Sequence, residues 1–294
     1  MPEHPEKSFD LISPTAFAVT YFRQFSDIPY AVELSQLVNA QAFVEQYLGQ
    51  NLEGCLPLLL QAEARYKAIN QLITQFGYTQ IIELASGLLP RGMVMSENPD
   101  ITFVESDLPA MVELKKELVS KLIGNRPNLH FRAIDATHIP SEFPLHADYL
   151  REDCPVTILC EGLLSYLTFP EKERVCANIR DVLSRYGGVW ITPDLTTKQQ
   201  YNMRQTNPAI KKAFQEIANA TGRSMYDNSF NDMAYARQFF REQGFCIEEH
   251  SMVEVIDELT CLAKFKINLS AVKHFLAAMP VFALTLNRKG TILS

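Results

Sequence analysis

From Thr79 to Leu195 the chain alternates short β-rich runs with helical stretches, and few folds accommodate that alternation. TQIIELA (79–85), ITFVESD (101–107), LHFRAID (129–135), PVTILCEGLL (155–164) and GGVWITPDL (187–195) read as five strands. PVTILCEGLL is a nearly continuous apolar run, as a central parallel strand buried on both faces should be. The helical LPAMVELKKELVSKLIG follows the second strand, and Thr168 with Glu171 forms a capping box for a helix reaching Tyr186. The pattern predicts an α/β, Rossmann-like fold, a mostly parallel sheet with helices on both faces. GFCIEEHSM and PVFALTLN read as two more strands separated by a helical insert.

Upstream, Leu34, Leu37, Val38, Phe43, Val44, Tyr47 and Leu48 recur at spacings of three and four, which predicts helices. LQAEARYKAINQLITQFG reads as an amphipathic helix ended by Gly77. We read residues 1–294 as a single domain. A helical cap at 1–62 precedes a cofactor-binding core at 63–195. A lid and substrate region follows at 196–240, its lid proper at 196–230. The C-terminal strands and helical insert occupy 241–294.

Composition serves mainly to exclude. The net charge of −7 disfavours a nucleic-acid partner, because affinity for phosphate backbone comes largely from Lys and Arg. No run of about 18 apolar residues occurs, so neither a transmembrane helix nor a membrane partner is expected. The polar start MPEHPEKSFD argues against a secretory leader. The six cysteines (55, 154, 160, 176, 246 and 261) show no CxxC pair, and several sit in apolar runs. They read as reduced, buried thiols of a cytoplasmic protein. With no HxxxH or HExxH among the histidines, no metal site is expected.

The turn after the first strand, ELASGLLPRG (83–92), carries the first chemical signal. In an open α/β sheet a ligand lies beyond the carboxyl ends of the strands, and the first turn approaches it most closely. Ala85, Ser86 and Gly87 are all small enough for that. The second strand ends at Asp107, placed to accept hydrogen bonds from ribose hydroxyls, although an Asp before LPAMV is also a favoured helix cap. The third ends at Asp135, where a carboxylate can meet an adenine amino group, and the fourth at Glu161. Three acids and one small-residue turn therefore share one edge. A nicotinamide-dependent oxidoreductase would show GxGxxG, which is absent.

ARYKAINQLI, ELASGLLPRG, FVESDLPAMVELK, AIDAT and CEGLLSYLT, in that order, resemble the motifs of the leucine carboxyl methyltransferase family, including its bacterial branch of polyketide-type O-methyltransferases. The resemblance implies a class I fold with a seven-stranded sheet whose last strand is antiparallel, and S-adenosylmethionine as cofactor. It implies that Arg65 pairs with the methionine carboxylate, Ala85 and Gly87 give backbone contacts, and Asp107 holds the ribose. Asp135 and the backbone of Ala136 would flank the adenine, and Glu161 would face the methionine amino group. Glu83 resembles the acid found in many first strands of the class, which the resemblance counts among the cofactor-binding residues; alone, it reads as a buried acid needing a partner. The family usually has GAG where ASG stands at 85–87, a loss that matters only if residue 85 requires positive φ.

Methyl transfer from a sulfonium is an in-line displacement, so positioning is the main demand. A carboxylate acceptor is already ionised at neutral pH, whereas a phenol asks for a general base. His138 and Asp194 are the candidates for a base, His138 being the more ordinary surface-loop residue. Tyr166 matches a tyrosine of the family motif and could orient the acceptor. Tyr201, Met203, Arg204, Phe214 and Tyr226 in the lid suggest a mostly apolar acceptor with one anionic group. The expected activity is O-methylation of a small-molecule carboxylate or phenol. A protein or peptide carboxyl methyltransferase and a non-catalytic cofactor-binding protein are the alternatives.

Overall fold

The computed structural model describes residues 13–48, 55–138, 148–265 and 268–287. The stretch MPEHPEKSFD lies outside them. Four helices precede the sheet: α1 (Ser13–Arg23), α2 (Ala31–Leu37), α3 (Ala40–Leu48) and α4 (Leu56–Phe76). Helix α4 carries Pro57 in its first turn, where a missing N–H costs no helical bond. It ends at Gly77, whose φ of 67° is the left-handed conformation glycine adopts without a Cβ penalty.

The strands are β1 (Gln80–Leu84), β2 (Thr102–Asp107), β3 (Leu129–Ala133), β4 (Val156–Cys160), β5 (Gly188–Thr192), β6 (Phe245–His250) and β7 (Val281–Leu286). They form one sheet in the order β3-β2-β1-β4-β5-β7-β6. The first five pair in parallel, and β7 runs antiparallel to both β5 and β6. The run expected at 155–164 leaves the sheet early, because Gly162 turns the chain with a φ of 82°.

The other helices are α5 (Arg91–Met95), α6 (Pro109–Ile123), α7 (Phe169–Tyr186), α8 (Lys198–Arg204), α9 (Pro208–Thr221), α10 (Met233–Glu242), α11 (Cys261–Phe265) and α12 (Leu269–Ala277). The Thr168–Glu171 capping box is present at the start of α7. Successive strand residues feed opposite cores, as period-two geometry requires. Ile81, Phe103 and Leu159 join Ile69 of α4 and Leu118 of α6, while Ile82, Val104 and Ile158 join Val175 of α7 and Phe240 of α10.

Topology then fixes the functional edge. From β1 the chain moves outward to β2 and β3; from β4 it moves the other way to β5, so the order reverses between β1 and β4. Leu84 is in register with Ser106 on one side and Cys160 on the other. The residues that follow, Ala85, Asp107 and Glu161, therefore emerge side by side. Helices α8 and α9 lie in a segment whose ends are stapled by a parallel bridge between Thr197 and Phe230. The Lys198 N–H donates to the Phe230 carbonyl at 2.8 Å, and the Phe230 N–H to that of Thr196 at 3.0 Å.

Candidate active site

A cleft of about 340 Å³ runs along this edge. Arg65, Ala85, Gly87 and Asp107 line it, and so do Asp135, Ala136, Glu161 and Tyr166. Glu83 does not. It is wholly buried beneath the turn and forms an ion pair with Arg91.

The turn itself is tightly held. Ala85 has a φ of 51° and Gly87 one of 50°. Residue 85 thus occupies the left-handed region that glycine fills most cheaply, and the alanine there carries backbone strain. Asp107 Oδ2 accepts the Gly87 N–H at 2.8 Å, and Oδ1 accepts that of Leu108 at 2.8 Å. The N-cap of α6 is Leu108, so Asp107 stands outside the helix it precedes and is not its cap. From the other side, Lys115 Nζ donates to the carbonyls of Gly87 (3.2 Å) and Leu89 (2.5 Å) and pairs with Glu105 at 2.6 Å. Gly92 has its own reason: a Cβ there would lie 2.2 Å from Glu105 Oε1.

Three arginines converge on Glu161. Arg23 Nη2 and Arg65 Nε reach Oε1 at 2.5 and 2.9 Å, and Arg91 Nη2 reaches Oε2 at 3.1 Å. Burial alone would raise the Glu161 carboxyl, but Arg65, Arg23 and Arg91 overcome it and hold it near 2. Burial pushes Glu83 the other way, up to about 7 despite Arg91, and its Oε2 has no hydrogen-bond partner. Arg91 also donates to Asn70 Oδ1 at 2.8 Å and lies over the Tyr66 ring at 4.8 Å. Three guanidinium groups thus face two carboxylates, an excess of positive charge at this end. Buried Arg23 Nε is an unpaired donor in the same wall. Two carboxylate oxygens offer about four acceptor sites, so three arginine contacts leave Glu161 room for one more.

At the other end, Asp135 Oδ1 accepts from the N–H and hydroxyl of Thr137 at 2.8 and 2.7 Å. The Ala136 carbonyl accepts from Asn178 Nδ2 at 2.8 Å. Asn178 also donates to the His138 carbonyl, fixing this turn from α7.

The two candidate bases differ in placement. His138 is exposed and does not line the cleft. Asp194 does line it, but its carboxylate accepts the N–H groups of Gly162, Leu163 and Leu164 at 2.9, 2.7 and 3.0 Å. Tyr166 is buried in the cleft wall, and burial raises its hydroxyl pKa against a hydrogen bond with Thr15. It is a donor at neutral pH rather than a base.

Sequence patterning missed Arg23, Arg91 and Lys115. A buried charge on a helix looks like a solvated one, and Arg23 lies 138 residues from its partner.

The strand order and the reversal beside β1 are those of the class I methyltransferase fold. Residues 53–180 match the leucine carboxyl methyltransferase family model, the family whose motifs the sequence resembles. No curated protein matches the chain. A DUF574-family protein from Streptomyces avermitilis aligns over 92% of this chain and 96% of its own, at 14% identity and a TM-score of 0.58. A candidate methyltransferase from Thermobifida fusca aligns over 82% and 87%, at 18% identity and a TM-score of 0.51. This chain spans only 59% of a candidate O-methyltransferase from Nostoc punctiforme, with 78% of its own length covered, 18% identity and a TM-score of 0.47. At these identities the likeness establishes the fold. No helix among the described residues is long and apolar enough to cross a membrane, and no metal-ligand cluster occurs among them.

Proposed function

We propose that the protein methylates a carboxylate or phenolic oxygen of a small molecule, as the polyketide-type branch of the family it resembles does. When bound, S-adenosylmethionine supplies an electrophilic methyl group on a sulfonium. Arg65 and the unpaired Arg23 donor meet its carboxylate, and Glu161 uses its remaining acceptor site for the ammonium. Asp107 holds the ribose hydroxyls, and Asp135 with the Ala136 backbone flanks the adenine. The turn at Ala85 and Gly87 offers backbone close to the ligand. Tyr166 donates a hydrogen bond that orients the acceptor.

The observation that carries this reading is the convergence of Arg65, Asp107, Asp135 and Glu161 on one cleft at the sheet reversal. A carboxylate acceptor is already ionised at neutral pH and asks for no base. A second reading, methylation of a peptide's terminal carboxylate, draws on the description of the matched family. The test is a transfer screen with methyl-labelled cofactor across small carboxylates, phenols and peptides with free carboxyl ends. Label on a small carboxylate or phenol supports the proposal. Label confined to peptides transfers the assignment to the second reading, and no label on any acceptor removes both.

A further inference from the structure

The cations of the cleft differ in how they are matched. Arg23 and Arg65 pair with Glu161. Arg204, the last residue of α8, lines the cleft without an ion pair to any described residue. Its Nη2 donates to the Met279 thioether sulfur at 3.7 Å, a weak acceptor. Asp194 attracts it from longer range, but that carboxylate is already engaged by three backbone N–H groups. Arg65 repels it, and burial lowers its pKa to about 10, so it is still a cation at neutral pH. Phe22, Phe43, Phe214 and Met225 supply apolar wall to the same cleft. A guanidinium beside apolar surface with so poor a partner is costly until an anion joins it. A bound sulfonium would add more positive charge to this cleft.

We infer that Arg204 receives an anionic group of the methyl acceptor, which is therefore an apolar molecule bearing a carboxylate. This rests on the function proposed above. The guanidinium fork matches a carboxylate through two parallel hydrogen bonds, and with Arg65 and Arg23 assigned to the cofactor's carboxylate, Arg204 is left for the acceptor.

The test titrates phenylacetate, 4-hydroxyphenylacetate and octanoate, each alongside its amide, into protein saturated with S-adenosylhomocysteine, by calorimetry. At least one acid is expected to bind about tenfold more tightly than its amide, as a charge-assisted pair requires. Arg204→Gln should reduce that preference to about twofold or less while S-adenosylhomocysteine affinity stays within about twofold of wild type. Arg204→Lys, which keeps the charge and loses the fork, should fall between them. The inference is overturned if acids and amides bind alike, if Arg204→Gln keeps the preference, or if none of the acids binds the saturated protein. Wild-type protein that takes up no S-adenosylhomocysteine overturns the cofactor reading, and this inference with it.

Discussion

The two ends of the cleft are built on opposite plans. At the end around Glu161, the proposed methionine end, the charges find partners within the protein: Arg23, Arg65 and Arg91 close on Glu161, and Arg91 on Glu83. Those groups are anchored on β1, β4 and the helices packed over them. At the end around Arg204, the proposed acceptor end, the wall is largely apolar, and Arg204 comes from a segment stapled to itself at Thr197 and Phe230. The contrast teaches a division of labour. On the proposed function, the sheet and its ion network would fix the donor's site before any ligand arrives, and the inserted helices would select what receives the methyl group. Changes at the first end should therefore cost folding and cofactor affinity; changes at the second should cost acceptor binding alone.

The largest effect should come from Arg91→Ala. It leaves Glu83 uncompensated and takes one of three cations from Glu161, and breaking a buried pair in this way costs about 3–5 kcal/mol. Urea unfolding measures it. Pairing Arg91→Met with Glu83→Gln should recover part of the loss, because an unpaired buried charge is worse than none. A cost under about 1 kcal/mol would show that the network is not what holds this end.

Next comes Arg65, whose side chain is only 15% exposed. Arg65→Ala should weaken S-adenosylhomocysteine binding by about 2–5 kcal/mol, the range for truncating one partner of a shielded charge pair. Arg65→Lys should lose less but still measurably, since the planar fork goes. Wild-type affinity in Arg65→Ala, with an unchanged melting curve, would take Arg65 out of the site and erase the contrast between the two ends.

Acid should open the methionine end first. The Glu161 carboxyl is held near 2, below its ordinary 4.5. A depressed carboxylate stabilises the fold fully above about pH 4.5, and that stability is lost as pH falls toward about 2, on the order of 3 kcal/mol in all. Unfolding free energy followed from pH 6 to pH 2.5 should show this slope in wild type and a shallower one in Glu161→Gln, where Glu63 and Glu171, which despite burial are also held low by their hydrogen-bond partners, still titrate. An identical slope in both would place the acid sensitivity elsewhere.

Much of the sheet and of its acid-bearing edge was legible in the sequence because the signals are local. Strand runs, Gly77, the Thr168–Glu171 box and acids at strand ends need only near neighbours to be read. The ion network was not legible. Arg23, Arg91 and Lys115 sit on helices where solvated charges are commonplace, and only the tertiary fold shows them buried. Glu83 illustrates the limit: the resemblance offered it as a cofactor contact, and the fold places it behind the cleft against Arg91. The acceptor's end was readable only as a mixture of aromatic residues and one arginine.

The smallest effect should come from Ala85→Gly. Left-handed backbone costs an L-residue roughly 1–2 kcal/mol, and glycine's extra unfolded freedom returns about 0.5–1 kcal/mol of that. The variant should gain at most about 1.5 kcal/mol in denaturant unfolding. A clear loss would mean that the alanine methyl contributes packing beyond its strain.

The central claim, that the strand-end acids and Arg65 form a site for S-adenosylmethionine, is tested most directly by calorimetric titration of wild type and Asp107→Ala with S-adenosylhomocysteine, NAD and NADP. The account predicts micromolar binding of S-adenosylhomocysteine, about −8 kcal/mol. Asp107→Ala should lose about 1.5–3 kcal/mol of it, since the acceptor for the ribose hydroxyls is gone. Tight binding of NAD or NADP with none of S-adenosylhomocysteine, or equal S-adenosylhomocysteine affinity in both proteins, would contradict it.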